Sequence, residues 1–540
     1  MQLRRIVMLL VLCGLTALTA AVLGSRPDPA AAHHVTAISL GGQHSCALTT
    51  AGGVQCWGRD QFGQLGDGND GDDEGSGVPV DVVGLESGVT AIASGATHTC
   101  AVTSAGGVKC WGNNEIGQLG NGASGEGVMS TAPVDVVGLD SGVGAVAAGF
   151  AHTCALMTAG NVQCWGSNWH GELGAPTTGT CVIDLDGYQV PCSPTPVEVV
   201  EEDFQPLTGA VAITSGGGFR TCVLTTAGGV KCWPGTGGSG CVLTPAGDYI
   251  CWGIPQEVAG LESGVAAVSS GERHACALTT AGGVKCWGEN WDGQLGDGQG
   301  CGFVCDTPVE VCASGEWDPV AHQCLDSGEP SPLTGAAAVE AGGLHTCALM
   351  ISGGVKCWGF DAFGQVDGTG GLGPGNDHTI PVDAPAPASG VIAISAGGYH
   401  TCALIDTGAV TCWGGDDYGQ TGDTDGDGCT DFAEHGSDPM RGGLRDHTSY
   451  WDFFDTPIVG NTRDRTITIG DIGAVVGRFG AFGDAEGDPR SEPPPPPSYH
   501  AAFDRGGQAG EHVWDQAPAN GSISVGDIGA VVAQFGHGCG

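Results

Sequence analysis

Cysteine supplies the first chemistry of this sequence. Seven Cys-x9-Cys pairs open at Cys46, Cys100, Cys154, Cys222, Cys276, Cys347 and Cys402, and close at Cys56, Cys110, Cys164, Cys232, Cys286, Cys357 and Cys412, each followed by Trp. An eighth pair, Cys241 and Cys251, lies inside the fourth interval. Thiols in such number form disulfides, ligate metal, or stay reduced in a core. A histidine stands two positions before the first cysteine in six pairs (His44, His98, His152, His274, His345, His400), with Arg220 in the fourth. Six imidazoles invite a metal or a proton relay. A residue repeated in every unit usually serves the unit, so structural hydrogen bonding is expected instead. The same argument has Trp57, Trp111, Trp165, Trp287, Trp358 and Trp413 packing between units rather than stacking on a ligand.

Carboxylates supply the second chemistry. The segment DTDGDGCTDFAE places Asp423, Asp425, Asp427, the Cys429 carbonyl, Asp431 and Glu434 at loop positions 1, 3, 5, 7, 9 and 12, with Gly428 at position 6. Calcium takes six to eight oxygens in this spacing, and clustered carboxylates repel one another without a cation among them. One Ca2+ site over 423–434 is expected.

The cysteine pairs recur in steps of 54, 54, 68, 54, 71 and 55 residues. A period of this length means one structural unit used seven times. Within the first unit, short apolar runs broken by Gly predict strands at Val35–Leu40, His44–Thr49, Gly53–Trp57 and Pro79–Val83. Four short antiparallel strands per unit fit a propeller blade. With the second turn centred on Ala51, Cys46 faces Cys56 and Leu48 faces Val54 on one side of the hairpin. Cysteines in that register are close enough to bridge. Closing such a loop adds roughly 3 kcal/mol on the chain-entropy model. Cys241–Cys251 reads as an extra disulfide-closed hairpin, because 35 residues from Cys241 to Cys276 are too few for a blade. Blade closure lacks one outer strand, which Pro457–Val459 is expected to supply.

The pattern G-G-x-H-T-C-A-L, G-G-V-x-C-W-G, G-Q-L-G-D-G resembles the regulator of chromosome condensation repeat family over residues 35–422, with typical copies at 98–122, 274–298 and 345–368. The resemblance implies a seven-bladed β-propeller, an all-β fold. Paired cysteines depart from the intracellular members and suit export. The calcium segment resembles the secreted loops of thrombospondin type 3 or dockerin kind. Beyond it, TITIGDIGAVVGRFG at 466–480 is echoed by SISVGDIGAVVAQFG at 522–536, across the stiff spacer Pro493–Pro497. This tail, 435–540, resembles a degenerate dockerin-like pair, which implies a cohesin-like partner. Only Asp464 and Asp471, or Asn520 and Asp527, match expected ligands there.

Arg4 and Arg5 precede an apolar run from Ile6 to Leu23, so residues 1–24 read as a secretory signal, with cleavage after Gly24 or as late as Ala32. The alternative is an uncleaved anchor. Without Cys13 the remaining cysteines are even in number, as an oxidising compartment favours. A net charge of −43 disfavours nucleic acid. Apart from the signal, no run is long enough to span a membrane.

Copies differ where function is expected. Extra residues enter between G-Q-x-G and the Pro-Val strand, at 69–77, 175–193, 299–332 and 369–379, and are expected on one rim. Cys181 with Cys192, and Cys301, Cys305, Cys312 and Cys324, are expected to stiffen them. The spacing C-x3-C-x6-C-x11-C is no familiar zinc motif, so two disulfides are expected among the last four. The leading expectation is a secreted or cell-surface scaffold that binds a protein or glycan through these rim loops. The alternatives are an extracellular hydrolase using the channel, and a protein anchored to an assembly by its tail. No catalytic constellation is evident: there is no nucleophile elbow, no HExxH and no base–nucleophile pair.

Overall fold

The computed structural model describes residues 35–69, 75–177, 179–182, 189–234, 240–243, 249–298, 303–314, 316–318, 323–326, 329–368 and 377–422. All regular elements among them are β-strands. No helix among the described residues is long and apolar enough to cross a membrane.

The strands build a seven-bladed propeller. Named outward from the axis, blade 1 has strands a (Val35–Leu40), b (His44–Thr49), c (Val54–Gly58) and d (Ser76–Asp81), in the antiparallel order a-b-c-d. The a strands of blades 2 to 7 are Val89–Ser94, Val143–Ala148, Ala210–Ser215, Val265–Ser270, Ala336–Ala341 and Val391–Ala396. Blade 7 has three strands among the described residues. Pro457–Val459, expected to complete it, lies outside them. Blade 7 closes directly on blade 1: the Val35 N–H donates to Gly408 O at 3.3 Å, and the Gly398 N–H to Gly41 O at 3.1 Å.

The hairpin register is the expected one. Cys46 pairs with Cys56 and Leu48 with Val54. Gly52 takes the turn at φ 77°, where a Cβ would be strained. Thr49 Oγ1 accepts from the Gly53 N–H at 3.0 Å and holds the turn shut. Seven b–c disulfides follow, one per blade, with Cα atoms 4.1 Å apart at Cys46–Cys56.

Strand b is buried along its whole length in blade 1, because it lies between a and c within its sheet and between neighbouring blades across it. Each seam has its own core. In the first, Cys46, Leu48, Val54, Cys56, Leu65 and Val82 of blade 1 enclose Ala101 and Trp111 of blade 2. A fully buried Trp thus plugs the preceding blade; burying about 150–250 Å² of aromatic surface at each of several seams is a main source of cohesion.

Blade 4 is the exception. Its c strand ends at Trp233, and Gly240–Leu243 pairs with Tyr249–Trp252 in a separate two-stranded sheet, Cys241 opposite Cys251. The blade resumes with Gln256–Glu257 as strand d. The extra hairpin therefore does not make an eighth blade. The side chains of Cys241 and Cys251 lie outside the described residues.

One expectation is corrected. The repeat spacing treats residues 299–332 as a single insertion before strand d. In the structure strand d of blade 5 is Val304–Glu310, and the segment from Cys312 to Pro332 follows it. Strand d runs antiparallel to c, so this second portion leaves from the opposite end of the blade. Thr307-Pro308-Val309 is the Pro-Val strand of this blade, not part of an insertion.

Candidate functional site

Six of the seven seams share one polar device. His44 Nε2 lies 2.8 Å from Thr99 Oγ1 of the next blade. The same pairing joins His98 to Thr153, His152 to Thr221, His274 to Thr346, His345 to Thr401, and His400 to Ser45 across the closing seam. In five of these seams the hydroxyl also donates to a glutamine carbonyl of the preceding blade, as Thr99 does to Gln64 O at 3.2 Å. That carbonyl accepts the indole N–H as well: Trp111 Nε1 donates to Gln64 O at 2.9 Å. With the hydroxyl proton committed, the imidazole must donate through Nε2, which leaves Nδ1 bare; Nδ1 has no partner in any of the six. Burial holds His44 down to about 4 and His98 down to about 3, the latter helped by His152 and His44. The rings are neutral struts. Gly41 makes room for one: a Cβ there would sit 2.3 Å from His44 Cε1.

The seam between blades 4 and 5 lacks this device. Arg220 replaces the histidine and Ala275 replaces the hydroxyl residue, so both halves of the pair are gone together. Arg220 Nη1 is buried without a hydrogen-bond partner, and burial lowers its affinity for the proton against the pull of Asp306 and Glu289. A cleft of about 440 Å³ opens there, lined by Phe150, Phe219, Arg220, Glu272, Arg273 and Asp306 among others.

The loops after strand c and between a and b emerge on one face, tied by bonds such as Arg59 N–H to Gln43 O at 2.9 Å. This face carries aromatic side chains at the positions that vary between copies. Phe150, Trp169, Phe219, Trp291, Phe303, Phe363 and Tyr399 are all exposed. They cluster across blades: Phe150 lies 5.8 Å from Phe219, His170 4.3 Å from Phe219, and Phe363 5.2 Å from Tyr399. Trp291 stacks on Phe303 at 4.2 Å, and the Arg59 guanidinium sits 4.7 Å above Tyr418. Exposed aromatics with arginine are the composition of binding hot spots.

Burial also displaces carboxylates, as at Glu340 and Asp361. The axial channel, about 180 Å³, is lined by residues of all seven a strands and contains Glu340. Burial raises Glu340 to about 7, opposed by the Ser269 hydroxyl, which donates to it at 3.2 Å. In blade 6, burial raises Asp361 to about 6, with Asp367 beside it adding to the rise.

The cysteines fall as follows. Cys181 and Cys192 form a disulfide, and that hairpin folds back so that Cys181 packs on Ile116 of blade 2. Cys312 pairs with Cys324, and Cys305 is disulfide-bonded. Cys301, the calcium segment 423–434 with Asp423, Asp425, Asp427, Cys429, Asp431 and Glu434, the tail 435–540 and the signal all lie outside the described residues. Sequence reasoning passed over the aromatic face, although its signal was present: a position such as Phe62, Ile116, His170, Asp292, Phe363 or Tyr418, just before G-Q/E, changes where its neighbours stay fixed.

The profile described as Regulator of chromosome condensation (RCC1) repeat matches residues 51–102 and 105–156. A second profile of that description matches 35–64, 89–118, 145–172, 265–294, 336–365 and 391–420, passing over blade 4. Similar proteins include the Ultraviolet-B receptor UVR8 of Arabidopsis thaliana, 28% identical over 395 residues, which span 72% of this chain and 78% of the receptor. The E3 ubiquitin-protein ligase HERC2 of Homo sapiens is 31% identical over 271 residues, 48% of this chain but 5% of the ligase. Among solved structures, human WBSCR16 is 20% identical with a TM-score of 0.49, over 69% of this chain and 87% of that one.

Proposed function

We propose, from the premise that this chain is built of regulator of chromosome condensation repeats, that it is an exported interaction scaffold whose contact surface is the aromatic face of the propeller. Propellers of this repeat family are mainly interaction and regulatory proteins, and a protein partner is the reading they favour here. The observation that carries the proposal is the concentration of Phe150, Trp169, Phe219, Trp291, Phe303, Phe363 and Tyr399 on one face of a rigid disc. Such side chains bury large area at small entropic cost when a partner covers them. The opposite face presents the short b–c turns, the segment that follows strand d of blade 5, and exposed Phe204 and Ile351.

Export is supported by the disulfide in each blade and by the leader-like residues 1–24. Calcium at Asp423, Asp425, Asp427, Cys429, Asp431 and Glu434 is supported by the twelve-residue spacing, and a tail-directed partner of cohesin kind by the duplicated tail segment. The strongly acidic composition supports a partner other than nucleic acid.

The test is affinity capture from the native culture with the mature protein, with and without calcium, beside a variant carrying Trp169→Ala, Phe219→Ala, Phe363→Ala and Tyr399→Ala. Loss of the captured partner in the variant supports the aromatic face. Full retention by the variant, with loss only on removal of 423–540, would transfer the contact to the tail.

A further inference from the structure

Blade 6 carries Asp361 where blades 2, 3 and 5 carry Asn114, Asn168 and Asn290 and blades 1 and 7 carry Asp60 and Asp416, and it adds a second carboxylate, Asp367, where those five blades have Gly66, Gly120, Gly174, Gly296 and Gly422. In blade 2, Asn114 Nδ2 donates across the post-c turn to Asn121 Oδ1 at 3.0 Å; in blade 5, Asn290 Nδ2 donates to Asp297 Oδ1 at 3.0 Å. The same asparagines use Oδ1 to accept from the N–H five residues on, Leu119 and Leu295. Blade 6 keeps that backbone bond, with the Val366 N–H donating to Asp361 Oδ1 at 2.7 Å. Like blades 1 and 7, with Asp60 and Asp416, it has no amide donor at this place. The second carboxylate, Asp367, stands beside Asp361. His378, the first residue of strand d, brings Nε2 to 3.5 Å from Asp361 Oδ2 and 3.3 Å from Asp367 Oδ2.

The three ligand atoms lie within 4.8 Å of one another, and the Asp361 side chain is only 2% exposed. Two adjacent carboxylates, one buried and one partly exposed, favour a proton or a cation between them. A tetrahedral ion with bonds of about 2.0–2.2 Å holds its ligand atoms roughly 3.3–3.6 Å apart. The His378–Asp361 and His378–Asp367 separations have that length, on a turn and a strand already fixed by backbone bonds. Hard calcium or magnesium would want six or more oxygens, and one imidazole with two carboxylates suits a borderline ion better.

We propose that Asp361, Asp367 and His378 form a binding site for one divalent transition cation of the zinc class, with a fourth position open to water or to a ligand atom of a partner. The turn also carries Phe363, so the cation would sit on the aromatic face. The site lies within blade 6 alone and does not depend on that face being the contact surface.

The test is calorimetric titration of Zn2+ into the full-length chain held in excess Ca2+, added to saturate the calcium site proposed for the acidic tail segment. Wild type is compared with Asp361→Asn and His378→Ala. Asparagine is tolerated at this place in blades 2, 3 and 5, so Asp361→Asn keeps the turn. Both variants are expected to lose one equivalent of zinc, or to bind it with a Kd raised about a hundredfold, by analogy with the sensitivity of metal sites to their surroundings. X-ray absorption on the loaded wild type should show a nitrogen and oxygen shell without sulfur. Unchanged stoichiometry and affinity in both variants would overturn the proposal as adventitious binding elsewhere. No zinc uptake by wild type would leave the three residues as an ion pair only, and overturns it equally.

Discussion

His98 Nε2 lies 2.8 Å from Thr153 Oγ1 across the seam of blades 2 and 3, and that hydroxyl donates onward to the Gln118 carbonyl at 2.9 Å. Removing the hydroxyl by Thr153→Val keeps the shape and strands the buried His98 N–H, while the Gln118 carbonyl keeps only the Trp165 indole N–H. We expect a loss of about 1–3 kcal/mol, read from denaturant unfolding midpoints. Thr153→Ser should recover most of it. Equal stability of Thr153→Val and wild type would remove the strut from the account.

The same six imidazoles set a pH dependence. Their folded proton affinity lies below the unfolded value, with His44 at about 4 and His98 and His400 at about 3. The unfolded chain therefore binds more protons in this range. Stability is fully present above about pH 6.5 and falls as pH drops toward 4, by up to about 1.4 kcal/mol per pH unit per histidine. Glu340, held up at about 7, works in the opposite sense: its burial costs stability as pH rises from the ordinary carboxylate range through 7. Six rings outweigh it. Unfolding midpoints at pH 7.5, 6 and 5 should decline steadily, and a flat profile would contradict buried neutral histidines.

Disulfides staple strand b to strand c in every blade, and one of them can be removed cleanly. Replacing Cys100 and Cys110 together by Ala reopens an eleven-residue loop and should cost roughly 3 kcal/mol, seen as a lowered unfolding midpoint. Thiol-reactive mass labelling of the native wild type should find no free thiol at either residue.

The seam at Arg220 and Ala275 should open first. It has lost the imidazole–hydroxyl pair that joins the other blades, and Arg220 Nη1 is buried without a partner. Amide hydrogen exchange in strand b of blade 4, Thr221–Thr225, and of blade 5, His274–Thr279, should exceed that in His98–Thr103. Slower exchange at blades 4 and 5 than at blade 2 would contradict this.

Much of the propeller is readable from the chain because the repeat writes the same physics seven times. Cys46 opposite Cys56 follows from strand alternation once the turn is centred, and the repetition of the histidine points to a structural part for it. What is not readable depends on contacts between blades or on displaced strands. The partner of His44 is 55 residues away, at Thr99, and nothing local names it. The d strand of blade 5 hides inside a long cysteine-rich stretch, so spacing alone puts the segment after Glu310 at the wrong end of the blade. The Asp361, Asp367 and His378 cluster joins a turn to a strand across a segment of variable length, and the abundance of Asp makes each carboxylate uninformative alone.

The most direct test of the interaction account is a footprint of the captured partner by hydrogen exchange or carboxyl labelling on the intact protein. The account predicts protection at 59–64, 149–151, 167–172, 216–220, 289–295 and 360–366, with the b–c turns at 49–53 and their counterparts unchanged. Protection of those turns while the aromatic face stays open would contradict it.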